Sequence, residues 1–338
     1  MKKLLLLFSL FFVTNAFAAS PQYHVIKKIE LGGNGFWDYL TVDNTARRLY
    51  VSHGTQVIVV DIETDKVVGN IPDTPGVHGI ALAPELNRGF ISCGQSNTAI
   101  IFDLKSLKVL GQVKTGTNPD NILYDSTSKQ VFTFNGRSND ATAFDAATGA
   151  VKGTIALGGK PESAKLDGKG KIYVNIEDLN EVVEIDSQKL AISKHFSINP
   201  GEEPTGMAID IDHHRIFSGC GNKIMTVLDT ETGKVIATVP IGEGCDGVSF
   251  DSESGLVFGS NGEDGTLTVV KEFSTGKFEV AQTITTQRGA RTITIDPKTH
   301  NVYLPVGQFG PPGGSAAGES SPQQSTNKDS FIIMVVGK

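Results

Sequence analysis

The sequence predicts an all-β fold, a seven-bladed β-propeller with four antiparallel strands per blade, and three observations lead there. A short apolar strand closes at Asp43, Ala83, Asp125, Asp167, Asp210, Asp251 and Asp296, at spacings of 40, 42, 42, 43, 41 and 45 residues. A second apolar strand keeps the same beat, ending at Asp61, Asp103, Asp145, Asp186 and Asp229, with Lys271 in the sixth place. No helical periodicity of useful length appears after residue 18. A fixed period of roughly 40–50 residues carrying four short strands marks propeller blades.

Residues 1–18 read as a signal peptide. Lys2 and Lys3 form a basic start, residues 4–13 an apolar run, and Ala16-Phe17-Ala18 a small-x-small cleavage site. The apolar run is too short for a stable bilayer-spanning helix. The expected product is exported, periplasmic and not inserted in a membrane. Its removal takes two of the 30 basic residues, leaving 28 against 37 acidic ones and a net charge of −9. Nucleic-acid binding rests largely on neutralising phosphates with Lys and Arg, so nucleic acid is not an expected partner.

Residues 19–338 then form one propeller domain. Its inner strands are those of the first anchor, such as Leu40-Thr41-Val42-Asp43 and Ile122-Leu123-Tyr124-Asp125. Second strands follow, such as Leu49-Tyr50-Val51-Ser52, Gly89-Phe90-Ile91-Ser92 and Ile172-Tyr173-Val174-Asn175. Third strands close on the second anchor, where Asp initiates a turn by accepting backbone amides two residues on. Each unit gains stability by packing on its neighbours, because a lone blade exposes both faces. The seventh unit lacks a complete outer strand, and residues 23–31 are a spare strand that completes it and closes the ring. Residues 307–328 depart from the repeat and are nearly devoid of apolar side chains, which predicts a mobile loop, a lid or an inert linker.

Leu49-Tyr50-Val51-Ser52, Ile172-Tyr173-Val174-Asn175 and the Asp-x-x-Thr-Gly-Lys-Val turn at residues 229–235 resemble the YVTN-repeat, YncE-like propeller family over the whole mature chain. The resemblance implies the fold. It says little of activity, because propellers host many functions.

Five residues before each inner-strand anchor, the repeat places Asp38, His78, Asp120, Glu162, Thr205, Asp246 and Arg291. These seven are expected to ring the mouth of the central channel on one face, the top. Four carboxylates there focus a negative field suited to a cation, so Asp38, His78, Asp120, Glu162, Asp246 and Arg291 are the expected ligand-binding residues. An Asp before an inner strand can equally cap its own turn. Trp37, the single Trp, stands beside Asp38, where it either stacks on a ligand or packs against the next blade. The residue after each ring position is small or polar in six blades, Tyr39 being the exception.

An outer ring at the ends of the second strands holds His53, Cys93, Asn135, Ile176, Cys220, Asn261 and Val306. With Asp38 and His78, His53 and Cys93 offer imidazole, thiolate and carboxylate in one sector, the ligand types of Zn or Cu. The rival reading is a set of polar groups solvating a channel mouth. A divalent metal ion is the one cofactor this sector invites. Cys220 and Cys245 fall in top-face loops of neighbouring blades, which predicts a disulfide in an oxidising compartment, with Cys93 free. The remaining histidines, at 24, 195, 213, 214 and 300, fall on outer strands or turns of the opposite face.

The chain has no Gly-x-Ser-x-Gly, His-Glu-x-x-His, Gly-x-x-x-x-Gly-Lys or Cys-x-x-Cys-His. Residues 242–247 match Gly-x-Gly-x-x-Gly but lack the helix that dinucleotide binding requires. The expected function is a monomeric binding propeller taking a small cationic ligand, a metal ion or a periplasmic protein on its top face. The alternative is a metal-dependent hydrolase or lyase using the same carboxylates and His78.

Overall fold

The computed structural model of this protein describes residues 22–33, 35–308 and 330–338. The expected signal peptide and residues 309–328 of the expected loop lie outside the described residues.

Seven sheets of four antiparallel strands are present, six of them built from strands consecutive in the chain. The inner strands are Trp37–Asp43, Val77–Ala83, Pro119–Asp125, Pro161–Leu166, Pro204–Asp210 and Cys245–Asp251, then Thr294–Ile295 in blade seven. The fold is a seven-bladed β-propeller, as the repeat predicts. In blade seven the order runs from the N-terminal strand His24–Glu30 to Ile332–Gly337, Val302–Val306 and Thr294–Ile295. His24 lies opposite Gly337 and Glu30 opposite Ile332. The two ends of the chain therefore share one sheet and hold the ring closed.

The third-strand aspartates act as the repeat implies. Asp61, Asp103, Asp145 and Asp186 each accept backbone amides two and three residues on, and Asp229 accepts the amide of Thr232. His213 bonds Asp210 at 2.7 Å within its turn.

Burial is concentrated between blades. Tyr50, Ile80, Ile91 and Phe102 fill the interface of blades one and two; Phe132, Phe134, Ile172 and Val183 fill that of blades three and four. The largest cluster runs from blade six through blade seven into blade one and contains Trp37, Phe258, Tyr303 and Phe331. It joins the two chain ends, so ring closure rests on apolar burial as well as on strand pairing.

Blade seven has the shortest inner strand. Continuing its register sets Thr292 against Pro305, which has no N–H to offer the ladder. The amide of Arg291 turns instead to the Gly289 carbonyl at 2.9 Å. Among the described residues no helix is long and apolar enough to cross a membrane.

Candidate functional site

The ring residues reach the channel because the inner strands are bulged where they begin. Trp37 pairs with His53 and Leu40 with Val51, leaving an irregularity between Trp37 and Leu40; blades two to six repeat it at the same place. A bulge re-aims a side chain at a rim, and here it turns position 38 and its equivalents inward. Their backbones are pinned from the preceding blade. Thr292 donates to the Asp38 carbonyl at 2.6 Å, Asn175 to that of Thr205 at 3.0 Å, and Ser260 to that of Arg291 at 2.5 Å. Gly206 faces the Gly247 backbone so closely that a Cβ would come within 2.9 Å of it, which explains the run of small residues at this level.

The structure brings Asp38, His78, Asp120, Glu162, Asp246 and Arg291 together at one mouth, linked by short contacts and shared charge. His78 Nδ1 lies 2.6 Å from Asp38 Oδ2 and 3.8 Å from Asp120 Oδ1. Arg291 reaches Asp38 Oδ1 at 3.3 Å, pairs with Asp246 and donates to the Trp37 carbonyl at 3.1 Å. Lys160 lies 2.7 Å from Glu162 and also pairs with Glu177.

The compensation is uneven. Burial penalises the Asp38 carboxylate, but Arg291 and His78 hold its pKa below the usual range. Burial also opposes the His78 cation, yet its bond to Asp38 and the charge of Asp120 raise it to about 9. Asp120, desolvated and facing Asp38 and Asp246, is raised to about 6 despite His78. Desolvation and the Asp120 and Asp246 charges push Glu162 upward against the pull of Lys160, and Asp246 is raised chiefly by burial. Asp120 Oδ1 is buried without a hydrogen-bond donor. Asp246 is paired with Arg291 and Glu162 with Lys160, so Asp120 is the carboxyl of this sector whose charge is least compensated.

Tyr39 was legible only as an oversized residue in a row of small ones. Its hydroxyl lies 3.4 Å from the Ser163 hydroxyl of blade four, so the phenol crosses the channel beneath the ring. Burial and then Asp120, Asp38, Glu162 and Asp246 raise its pKa well above the usual value. Lys160, two residues before Glu162, also escaped the repeat alignment.

Trp37 packs rather than faces a ligand. It is buried, its indole N–H donates to the Gly289 carbonyl at 3.0 Å, and its ring lies 5.8 Å from Phe331. The Arg291 guanidinium sits 4.8 Å over Phe36 beside it.

The expected His53–His78–Cys93–Asp38 metal sector does not form. Outer-ring side chains point between blades, away from the channel. His53 stacks on Phe331 at 4.0 Å, and Cys93 lies in the core of blades one and two. The metal-competent group among the described residues is Asp38, His78 and Asp120, whose ligand atoms lie within 4.8 Å of one another.

The expected Cys220–Cys245 disulfide is likewise absent, and all three cysteines are free and buried. Cys220 packs in the core between blades four and five, Cys245 in that between blades five and six. The blade-five sheet stands between the two sulfurs.

No protein-family model and no curated protein matches the chain. Among solved structures it is similar to a chain of Kuenenia stuttgartiensis hydrazine synthase, with a TM-score of 0.71 and 14% identity over 87% of this chain and 96% of that one. At that identity the likeness bears on the fold alone, and it agrees with the seven-bladed propeller that the strand pairing defines.

Proposed function

We infer that this chain is an exported binding propeller that takes a small cation at its top-face channel mouth. The observation that carries the reading is Asp120. Its Oδ1 is buried without a donor, and its acidity is weakened by a desolvated, crowded carboxyl sector. A cation seated there supplies the missing charge, while Asp38 stays committed to His78 and Arg291. Tyr39 forms the floor, and an aromatic face next to carboxylates suits an organic ammonium as well as a metal ion. Export is supported by the basic, apolar and small-residue pattern of residues 1–18.

A second reading is favoured by one observation, the Asp38–His78–Asp120 group. Two carboxylates and an imidazole form a donor set for a divalent transition metal, which would activate water in a hydrolase or polarise a lyase substrate. His78 fits that role only after losing the proton it shares with Asp38, so metal would bind in exchange for a proton.

Titration calorimetry with Mn²⁺, Zn²⁺ and tetramethylammonium, on wild type and Asp120→Asn, tests both. Saturable binding of any one of them that Asp120→Asn weakens supports the mouth as a cation site. Binding of none at millimolar concentration removes it. Metal retained by protein purified without chelators, and lost in His78→Gln, selects the second reading.

A further inference from the structure

The second strand of each of the first three blades opens with a side chain that ties it to the next blade. Arg48 donates to the Leu104 carbonyl at 2.9 Å, Arg88 to that of Ala146 at 3.1 Å and Gln130 to that of Ser187 at 3.2 Å. These ties lie on the face opposite the mouth and close the cleft between blades. Arg215 holds the same place in blade five, but it meets a side chain, Glu272 of blade six, at 2.5 Å. Its guanidinium lies 5.2 Å from the centre of the Phe278 ring.

The sequence of blade six accounts for the change. In five blades the third strand ends at an aspartate that starts a turn, whereas Lys271 stands at that place with no acceptor to offer. The strand therefore runs on to Ser274 and returns from Lys277. Gly276 makes the turn with φ at +73°, and its amide donates to Glu272 Oε1 at 2.6 Å. Glu272 lies opposite Phe278 in this extension, and Arg215 of blade five meets both. A cavity of about 170 Å³ opens there between blades five and six.

Phe217, Phe250 and Phe278 form the apolar wall of this cavity. The Phe217 ring lies 5.7 Å from each of the other two, stacked on Phe250 and edge-on to Phe278. Phe250 is half-buried, so it offers ring surface to what enters. The charged groups at the cavity are committed to one another. Arg215 holds Glu272, His213 bonds Asp210 at 2.7 Å, and the remaining two, Asp212 and Lys271, are opposite in sign. A charged ligand would have to break a pair, whereas an uncharged ring leaves both intact. A dry apolar cavity of about 150 Å³ takes one benzene ring. A carboxylate has about four acceptor sites, and Arg215 and Gly276 take two of those of Glu272. We propose that the cavity between blades five and six binds an uncharged one-ring aromatic molecule of the phenol class. Its ring packs against the three phenylalanines and its hydroxyl donates to Glu272.

The site lies on the other face from the cation mouth and does not depend on it. The full-length protein is titrated with para-fluorophenol and followed by fluorine NMR, with para-fluorobenzoate and para-fluorobenzylamine as charged analogues of the same ring. Saturable binding of the phenol with a Kd below about 1 mM is expected, a modest affinity for so small a ligand. Both analogues are expected to bind at least about tenfold more weakly, because each buries a charge without a free partner. Ser252→Phe sets a ring at the exposed edge of the cavity and is expected to weaken phenol binding about tenfold by filling space, with the melting temperature unchanged. If that variant does not fold, Phe278→Leu removes one ring of the wall and is expected to act in the same direction. Asp120→Asn at the mouth leaves phenol binding unchanged, which separates the two sites. The proposal is overturned by no saturable binding of the phenol, by equal binding of either charged analogue, or by a Kd that Ser252→Phe and Phe278→Leu leave alone or that Asp120→Asn raises.

Discussion

His78 Nδ1 lies 2.6 Å from Asp38 Oδ2, and Arg291 holds the other oxygen of the same carboxylate at 3.3 Å. Asp38 is therefore flanked by two cations from different blades. This relationship fixes which ring residues are structural and which are open to a ligand.

The His78–Asp38 pair makes stability depend on pH in the alkaline range. The folded pKa of His78 is raised to about 9 from an ordinary 6.5. The folded state then binds more protons than the unfolded one between those values, and stability falls as pH rises through them. The contribution is complete below 6.5 and gone above about 9. Melting curves from pH 6 to 10 are expected to show this decline in wild type and a flatter profile in His78→Gln. The variant loses about 1–3 kcal/mol at neutral pH, because Asp38 keeps Arg291 but loses a charged partner.

Cation binding at the mouth should be linked to proton release. Asp120 titrates near 6, so a cation that needs its carboxylate binds more weakly as pH falls from 7 to 5. Calorimetry in buffers of different ionisation enthalpy measures the released proton directly. An affinity flat across that range would move the ligand away from Asp120. Glu162→Gln removes repulsion from the same sector, so it should leave the melting temperature equal or higher while weakening binding.

The fold was legible because a propeller repeats its errors as well as its rules. A period of about 42 residues is visible even where Ala83 or Lys271 breaks it, and the spare N-terminal strand follows from counting. The ring of Asp38, His78, Asp120, Glu162, Asp246 and Arg291 was legible for the same reason, since one offset from one anchor finds them all. Partners off that register were not. Lys160 finds Glu162 through the turn between blades, and Tyr39 finds Ser163 across the axis. His53 and Cys93 share a face with the ring, but alternation along the second strand turns them between blades. Alignment places a residue at a height on the disc and leaves its direction to be fixed by bulges and pairing.

His53 should make stability fall in acid. It is buried, stacked on Phe331 at the ring closure, and both ring nitrogens lack partners. Desolvation lowers its pKa to about 4, so the folded state binds fewer protons than the unfolded state between about 4 and 6.5. Its contribution is complete above 6.5 and lost as pH falls through about 4, at most on the order of 3 kcal/mol. His53→Phe keeps the stacked ring and removes the proton site. Its melting temperature is expected to fall less than that of wild type between pH 7 and 4.5, and an unchanged slope would place the acid sensitivity elsewhere.

The cysteines give the last prediction, and the strand geometry sets it. Gly219 and Cys220 are neighbours on the second strand of blade five, so they face opposite sides of its sheet. A Cβ at Gly219 would come within 2.6 Å of Cys245 Sγ, whereas Cys220 Sγ lies by Gly201 and Thr226 on the other side. Closing a bond between the two sulfurs would require one of them to cross the blade. Burial also raises the Cys93 thiol to about 12 and the Cys220 thiol to about 11, and it raises Cys245 as well, so none is a ready thiolate. Native protein should therefore react slowly with a thiol reagent. After denaturation without reductant it should release three thiols per chain. A count of one would restore the blade-five to blade-six clamp. Gly219→Ala tests the packing separately: the added methyl meets Cys245, and overpacking of this kind costs about 1–3 kcal/mol, which Cys245→Ala in the same chain should largely recover.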